Sequence, residues 1–408
     1  MWFDLKLAWR NIFRNKRRTF IAGTAIGVGL ASMIFTDALM IGMKDNMIRS
    51  ATKSFLGEAQ IHREGFRLTQ DVKKTISNLK ALISRLEKED SVERFALRTV
   101  SFGMITSPAS VSSVMVYGIQ PSSEKYLSQI DDVIKEGDYF AGDGEREIVI
   151  GSDIAELLEV RIGDRTVITV TRAESGDLAQ EMFRISGIYN FNVKEMDTGM
   201  AFVRLSKAQE MLGIGKDVHE IAIEFKDIHF ASRAENPFWS EYSVHGNEAV
   251  SWTELLPQLN AMLGIFWISV MVMGFILFGI VAFGIINTLF MSLYERLFEF
   301  GVIRAIGTRP SGTRRLILLE AGALSLLSIG LGVVLGFILT LIFVKTGIDY
   351  RGIEIAGTSI HEMIYPVIHA QQYIIYPLAV FVFTLLIGLY PATVASKMSI
   401  SKALRKSL

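Results

Sequence analysis

Four stretches of the chain are apolar almost without interruption, whereas the rest mixes short apolar runs with polar residues. Each stretch exceeds the roughly 20 residues that an α-helix needs to cross the ~30 Å hydrocarbon core of a bilayer. The pattern therefore predicts four transmembrane helices. They are predicted at residues 19–43, 262–291, 316–344 and 373–394.

The segment between the first two apolar stretches, residues 44–261, has a different pattern. Short runs of alternating apolar and polar residues are separated there by Gly and Asp, as is typical of half-buried strands. Strands are predicted at residues 58–62, 95–105, 113–119, 147–150, 166–171, 183–189, 200–204 and 219–224, and helices at 71–88, 153–158 and 207–212. The predicted fold is an α-helical membrane protein with four transmembrane helices plus a large mixed α+β extracytoplasmic domain inserted between helices 1 and 2.

Basic residues flank the four apolar stretches unevenly. Lys and Arg in short flanking segments stay on the cytoplasmic side of a membrane, and they concentrate in residues 1–18, 292–315 and 395–408. Residues 44–261 and 345–372 carry mixed charge and are therefore predicted to lie outside. Because four spans return the chain to its starting side, both termini are predicted to be cytoplasmic.

Several broad classes are disfavoured by composition. The first apolar run is too long for the central region of a secretory signal peptide and is not closed by a clean small-x-small cleavage site, so we expect it to remain uncleaved. A net charge of zero disfavours nucleic-acid binding. The absence of cysteine removes disulfide and thiol chemistry and suits an oxidising exterior.

Sequence motifs for catalysis are also missing. The six histidines form no HExxH pair, and His361-Glu362 lacks a second ligand, so no metal site is predicted. The run from Gly213 to Asp217 approaches a phosphate-binding loop but lacks the Walker spacing and has Asp where Ser or Thr should hold Mg²⁺. No G-x-S-x-G nucleophile elbow is present. We therefore predict a chain without catalytic residues or a bound cofactor.

The segment between the second and third apolar stretches, residues 292–315, predicts a short helix that ends at Gly307 and Pro310. Its charged residues fall near one face and its apolar residues supply contacts: Glu295, Arg296, Glu299 and Arg304, and Leu297, Phe298, Phe300, Val302 and Ile303. One interpretation is a solvated connector whose arginines only enforce topology. We favour a helix that docks on a soluble partner, because Phe298, Phe300 and Ile303 would otherwise face the cytosol.

A second group of candidate residues lies at the outer ends of the first two spans. Asp37 is roughly 27 Å along its helix from Thr19, so it is either a polar group at the mouth of a substrate cleft or an interfacial residue. Methionine and aromatic side chains nearby could form a flexible apolar wall for varied chains, or they could be ordinary packing residues and an interfacial anchor. These wall candidates are Met40, Met43, Met262, Phe266 and Trp267.

Small residues recur at helical spacing in three of the spans. They are Gly23 and Gly27, Gly279 and Gly284, and Gly332 and Gly336. Such residues let helix backbones approach closely. The sequence leaves open whether they contact a second copy of the chain or pack within one subunit.

The run ERLFEFGVIRAIGTRP lies at residues 295–310, followed by Leu319-Glu320-Ala321. It looks like the coupling helix of the FtsX/MacB-type ABC transporter permease family, which includes the lipoprotein-releasing permeases LolC and LolE. The tail LYPA at 389–392, followed by ASKM and KALR, is similar to the family's C-terminal signature. The start LAWRNI at 7–12 resembles its amphipathic entry helix, which implies such a helix at residues 1–18. The outer runs EIVIGSDIA and VRIGD also fit, so the resemblance covers nearly the whole chain.

The resemblance implies a permease dimer in the inner membrane, with each internal helix seated on a separate ABC ATPase that binds ATP and Mg. Residues 44–261 would then be a periplasmic domain and 345–372 a short periplasmic loop. The coupling residues carried over are Glu295, Arg296, Glu299, Phe300, Gly301, Arg304, Ala305 and Gly307. The implied partners are the ATPase, a second copy or paralogue, membrane lipid, a lipoprotein substrate and a periplasmic lipoprotein carrier, and no nucleic acid.

The function that the resemblance favours is extraction of lipoproteins from the inner membrane and their release toward the outer membrane. Two alternatives stay open: MacB-like efflux of peptides or drugs, and FtsX-like transmission of a signal to a periplasmic hydrolase. The excursion at residues 171–181 lies where LolC-like permeases present a hook to their carrier, but it lacks an apolar tip. LolC-like and LolE-like roles are therefore both open.

Overall fold

The computed structural model describes residues 2–140, 142, 144–349, 354–355, 358–359 and 363–397. The chain divides into two compact units. The helical unit comprises Met1–Lys44, Leu263–Tyr350 and Glu362–Leu408, and the sheet unit comprises Asp45–Met262 and Arg351–His361. Most of the predicted tail, the centre of the predicted 345–372 loop and His361 lie outside the described residues.

Helices and strands alternate through the sheet unit, whereas long helices make up the other unit. The helices are α1 (Trp2–Ile12), α2 (Lys16–Ala51), α3 (Phe66–Thr69), α4 (Leu79–Leu86), α5 (Pro121–Leu127), α6 (Ser152–Leu157), α7 (Lys194–Gly199), α8 (Leu205–Leu212), α9 (Pro237–Tyr242), α10 (Trp252–Leu255), α11 (Pro257–Glu295), α12 (Leu297–Ala305), α13 (Pro310–Thr346) and α14 (Gln372–Lys397). The strands are β1 (Ala59–Arg63), β2 (Val92–Thr106), β3 (Val111–Ile119), β4 (Ile134–Gly137), β5 (Glu147–Gly151), β6 (Arg165–Thr171), β7 (Leu178–Tyr189), β8 (Met200–Arg204), β9 (Glu220–Phe225), β10 (Asn247–Ser251), β11 (Glu354–Ile355) and β12 (Thr358–Ser359).

Four helices of the described chain are long and apolar enough to cross a membrane: α2 with the π-helical turn Thr52–Leu56, α11, α13 and α14. Proline opens both α11 and α13, where its fixed backbone suits the first turn and its missing N–H is not needed. Helix α13 ends before Gly347, whose φ of 69° favours glycine. The prediction of four apolar helices with a mixed sheet domain between the first two is confirmed.

The core of the helical unit is formed where these helices meet. Ile26, Leu30 and Ile34 of α2 pack with Val281, Ile285 and Leu289 of α11, Ala321 of α13 and Val380 of α14. Glycine brings α2 and α13 into backbone contact, because a Cβ added at Gly332 would lie 2.7 Å from the carbonyl oxygen of Gly27. A Cβ at Gly336 would lie 3.3 Å from Ala31. The glycine pairs of these two spans are therefore used for packing within the subunit.

The sheet unit is built on one ten-stranded sheet in the order β10-β1-β9-β2-β3-β8-β5-β7-β4, with β6 paired to β2 and β7. Strands β3 and β8 pair in parallel, as do β5 and β7, and the other pairs of this sheet are antiparallel. Helices α6 and α8 cover one apolar face, where Ile154 and Met211 join Ile148, Phe183 and Ile185 in the core. This arrangement confirms the predicted mixed α+β domain.

Three local predictions in this unit differ from the structure. The helix predicted at 71–88 is wrong at its start, since only Leu79–Leu86 is helical and Asn78 before it has a φ of 53°. Strands β4 and β10 were not predicted. Their short sequences, IKEG and NEAVS, lack the β-branched and aromatic run that marks a strand.

A buried ion cluster, the Arg98 cluster, joins three elements of the sheet unit. Arg98 on β2 donates from Nε and Nη2 to Glu124 of α5, at 3.0 and 2.6 Å, and from Nη1 to Glu220 of β9 at 2.7 Å. Its guanidinium also lies 3.8 Å from the ring centroid of Phe55. Burial alone would lower the pKa of Arg98, but the two carboxylates outweigh it and raise that pKa.

Candidate functional site

The short helix α12 is held to the helical unit by charged side chains, which we call the Arg296 cluster. Arg296 donates from Nε to Glu299 Oε2 at 3.0 Å and from Nη1 to Glu320 Oε1 at 2.5 Å. Arg14 donates to Glu299 Oε1 at 2.8 Å, and Asn11 donates to Glu320 Oε1 at 2.7 Å. These bonds connect α12 to α13 and to the 3₁₀ turn Phe13–Asn15, and they connect α1 to α13.

The Arg296 cluster is open to solvent on one side only. The side chains of Arg296 and Glu320 are each 8% exposed, whereas that of Glu299 is 42% exposed. Partial burial raises the pKa of Glu299, but hydrogen bonds from Arg14 and Arg296 outweigh it, so the pKa lies below its usual value. Glu299 is therefore ionised at neutral pH and can hold both arginines.

Helix α12 has two apolar faces, and only one of them is packed. Phe300 is buried with Leu293 of α11 and Leu316 of α13, and the Arg296 guanidinium lies 4.9 Å from its ring centroid. The expectation that Phe300 is exposed is therefore wrong. Helical periodicity places Phe300 on the side of Leu297 and Gly301, which are also buried.

The opposite face of α12 carries exposed apolar side chains, which we call the docking face. It consists of Phe298, Val302 and Ile306, which are 50%, 40% and 79% exposed. Beside it, Ala305 is exposed and Arg304 is in the last turn, where a cation favours the helix dipole. Gly307 then ends the segment with a φ of 106°, a conformation that favours glycine.

The predicted coupling residues fall into two groups by burial and contacts. Arg296, Glu299, Phe300 and Gly301 are buried or bonded to the rest of the helical unit. The others are at least partly exposed: Glu295, Arg304, Ala305 and Gly307. Ile306 was not among the predicted coupling residues. Its signal in the sequence was an apolar side chain within a charged loop.

The predicted cleft residues lie on α2 and α11. Asp37 is half-buried, and its Oδ2 accepts a hydrogen bond from Gln372 of α14 at 2.9 Å. Met40 and Met43 are half-buried, and Met262, which belongs to the sheet unit, is half-buried as well. On α11, Phe266 is half-buried and Trp267 is 67% exposed. The carboxylate of Asp37 is thus satisfied within the helical unit.

One stretch of α11 is loosely packed. Between Leu263 and Gly274, all described residues of the helix are at least partly exposed. The second half of the helix packs through Val281, Ile285 and Leu289. Gly279 and Gly284 differ from Gly23, Gly27, Gly332 and Gly336, because an added Cβ there would meet nothing within 4 Å.

An exposed apolar surface in the sheet unit was not predicted. On β2, Phe102 and Met104 are 59% and 47% exposed, and Met115 of β3 lies opposite Phe102. Met182 and Leu178 of β7, 48% and 69% exposed, lie on the strand that pairs with β6. We call these five residues the Met-Phe face. The sequence does contain a signal for this face. In β2 and β7, apolar residues occupy alternate positions at which a solvent-facing strand normally has polar residues.

Comparison with known proteins places these features in a family. An FtsX-like permease C-terminal model matches residues 271–400, and a MacB-like periplasmic core domain model matches residues 19–232. The second match alone covers more than half of the chain. The chain belongs to the FtsX/MacB family of ABC transporter permeases.

Two curated relatives of this permease carry lipoprotein-releasing names. It is 23% identical over 235 residues to the lipoprotein-releasing system transmembrane protein LolC of Xylella fastidiosa strain Temecula1, a match that spans 55% of each chain. It is 21% identical over 401 residues to LolE of Haemophilus influenzae, 93% of each chain. A solved periplasmic region of MacB from Actinobacillus actinomycetemcomitans is 14% identical, with a TM-score of 0.34, over 50% of this chain and 92% of that one.

Family membership and the four long helices make this permease a multi-pass membrane protein. ABC permeases are generally non-catalytic, and they work with an ATPase and in pairs. Within the described residues, no group of three or more His, Cys, Asp or Glu side chains is placed to hold a metal.

Proposed function

We propose that this permease couples ATP hydrolysis by a separate ATPase subunit to the extraction of lipoproteins from the inner membrane and their release toward the outer membrane. The observation that carries the proposal is helix α12, which is held by the Arg296 cluster while its docking face stays open. An exposed apolar face on a fixed short helix suits a groove on a soluble partner. ATP and Mg would be bound by that partner.

The orientation we propose places α12 in the cytoplasm. Basic residues lie in α12 and shortly after it, namely Arg304, Arg309, Arg314 and Arg315. Further basic residues precede α2 and follow α14. This charge distribution favours the cytoplasm for the α12 loop and for both termini. The sheet unit would then lie in the periplasm, as the description of the matching MacB-like model suggests.

The Arg296 cluster would pass force from the ATPase into the spans. A displacement of α12 would act on the hydrogen bonds of Arg296 and Glu299. Arg296 is bonded to Glu320 on α13, and Glu299 is bonded to Arg14, which follows α1. Bonds between ionised groups are roughly twice as strong as neutral ones and fix geometry. Helix α12 would therefore move together with α13 and not independently of it.

The docking face is tested by adding charge to it without touching the Arg296 cluster. We expect Phe298→Glu and Ile306→Glu each to reduce co-purification of the ATPase at least tenfold, because an apolar contact would have to bury a carboxylate. Leu68→Glu is the matched control, since Leu68 is a 92% exposed apolar residue of the sheet unit. Unchanged co-purification of both α12 variants would refute the docking role.

Two charge reversals in α12 test the Arg296 cluster and the binding of the ATPase separately. Glu299→Lys removes both ion pairs of Glu299, so we expect it to loosen α12 as well as to weaken ATPase binding. Arg304→Glu places an anion at the C-terminal end of the helix and should weaken binding without breaking the Arg296 cluster. Normal membrane insertion of both variants would separate lost coupling from misfolding.

The proposed cargo path starts at the outer end of the helical unit. The partly exposed stretch of α11 between Leu263 and Gly274 includes Phe266 and Trp267. It offers apolar surface to an acyl chain or to a second permease. Met40 and Met43 of α2, together with Asp37, are the other candidates for this path. Methionine-lined walls accept chains of varied shape, which suits lipoproteins of different sequence.

The cargo assignment is supported by the LolC and LolE names of the relatives, and it can be tested separately from the coupling. We expect depletion of the permease, followed by membrane fractionation, to retain lipoproteins in the inner membrane. If lipoproteins still reach the outer membrane normally, lipoprotein release is refuted while an ATPase-coupled permease remains. Increased sensitivity to exported drugs or peptides in the same depleted cells would then point to efflux.

A further inference from the structure

A large apolar groove runs along the helical unit between α13 and α14. Its volume is about 1030 Å³, at the upper end of the roughly 300–1,000 Å³ typical of small-molecule sites. One wall is formed by Leu318, Gly322 and Leu326 of α13, and the other by Phe381, Leu385 and Leu389 of α14. The groove is separate from the docking face, the Met-Phe face and the proposed cargo path, which involve other residues.

One end of the groove is basic and aromatic. Lys6 and Trp9 of α1 line it together with Arg315 of α13. No Asp or Glu is among the described residues that line the groove. Trp prefers the membrane–water interface, and basic pockets between spans on the cytoplasmic side bind anionic headgroups.

The length of the groove matches one leaflet. Leu326 follows Arg315 by eleven residues, which is about 16 Å along a helix. This is close to half of the ~30 Å hydrocarbon core. An occupant anchored at the basic end would therefore reach about the middle of the bilayer.

We propose that this groove binds an anionic phospholipid of the cytoplasmic leaflet. Its phosphate would lie at Lys6 and Arg315, and an acyl chain would lie between α13 and α14 beside Gly322. The choice of leaflet rests on the orientation proposed above. Charge complementarity and the length of the groove favour a lipid over a second copy of the chain. A groove that ends near the middle of the bilayer fits a lipid of one leaflet, whereas a second copy would contact the spans over their whole length. A bound lipid would connect α1 to α13 and α14.

The test compares lipid retention by the full-length permease. Purified protein in nanodiscs with equal phosphatidylglycerol and phosphatidylcholine is transferred to mild detergent, and retained lipids are counted by native mass spectrometry. We expect phosphatidylglycerol to be preferred. Lys6→Gln should reduce that preference about fivefold, the effect of one basic contact at a membrane surface, whereas Arg10→Gln on the same helix should not. Arg10 is exposed and does not line the groove.

The apolar part of the groove has its own matched pair. Leu386→Trp, which fills the groove, should reduce retention of both lipids, whereas Ile375→Trp, at an exposed position of α14 that does not line it, should leave retention unchanged. Equal retention of the two lipids by the unaltered protein, or equal losses in Lys6→Gln and Arg10→Gln, would overturn the proposal. Co-purification of the ATPase, measured in parallel, reports on the proposed function independently.

A second copy of the permease in the groove is the competing outcome, and the cysteine-free sequence makes it measurable. Leu386→Cys introduces a single thiol at the groove. A disulfide-linked dimer formed through this thiol in native membranes would show that another copy covers the groove, and it would overturn the lipid assignment. A monomer that retains phosphatidylglycerol supports it.

Discussion

An arginine held by two glutamates above a phenylalanine ring occurs in both units of the molecule. In the sheet unit, Arg98 and Glu124 are fully buried and Glu220 is nearly so. In the helical unit, the equivalent Glu299 is 42% exposed beside an almost buried Arg296. The same side chains therefore form a fully desolvated cluster in one unit and a half-open one in the other.

The difference in exposure teaches what each cluster can do. Removing one partner from a fully buried cluster leaves a charge with no water to solvate it, so the Arg98 cluster fixes the arrangement of β2, β9 and α5. An exposed ion pair contributes little net stability because water competes for both charges. Glu299 can therefore exchange partners at small cost, which suits a site where a second protein acts.

Loss of Arg98 should have the largest effect. We expect Arg98→Met to lower the free energy of unfolding by about 3–5 kcal/mol, since Glu124 and Glu220 would be left buried and unpaired. Denaturant unfolding of the full chain in detergent, followed by tryptophan fluorescence, measures the change. The control is Arg233→Met, which removes an exposed pair with Asp227 and should cost under ~1 kcal/mol. Equal, small losses in both variants would erase the contrast between buried and open clusters.

Glu58 provides a second test, on a carboxylate that is buried in the sheet unit. Burial raises its pKa from 4.5 to about 7, although a hydrogen bond from the Phe225 N–H opposes the shift. The folded state thus holds this proton more tightly than the unfolded state, so stability should fall as pH rises from about 4.5 to 7. We expect Glu58→Gln to flatten this pH dependence and to stabilise the sheet unit at pH 8 by about 3 kcal/mol. A variant with the same thermal pH profile as the unaltered chain would refute it.

The helical unit should depend more on backbone contact than on its ion cluster. Gly332→Leu should lower stability by about 1–3 kcal/mol, a typical cost of overpacking, because its side chain would collide with the Gly27 carbonyl. Gly279→Leu is the matched control, since an added Cβ there meets nothing within 4 Å. Thermal unfolding in detergent compares them, and an equal shift for both would show that the α2–α13 contact is not tight.

Arg14 should have the smallest effect on stability. Its pair with Glu299 has side chains 55% and 42% exposed, so Arg14→Gln should cost at most about 1 kcal/mol. Because the pKa of Glu299 is lowered, its stabilisation is present above its unfolded pKa and is lost as pH falls through the folded value. Thermal melts at neutral and acid pH measure both effects. A loss as large as that of Arg98→Met would contradict an open cluster.

The sequence could predict features that depend on local periodicity. The four long helices and the short helix α12 follow from apolar length and spacing, whereas the burial of Phe300 does not, because a helix with two apolar faces does not reveal which one packs. The Arg98 cluster was beyond prediction, since Glu124 and Glu220 are 26 and 122 positions away in the chain. The Met-Phe face depends on strand pairing in the same way.

Backbone contact between Gly27 and Gly332 has a mechanical consequence. With no side chain between them, α2 and α13 cannot slide past each other without Leu30, Leu331 or Ser328 colliding with the opposite helix. An axial displacement of α13 is therefore shared by α2. A movement that begins at Glu320 would thus reach the opposite membrane surface along two helices at once.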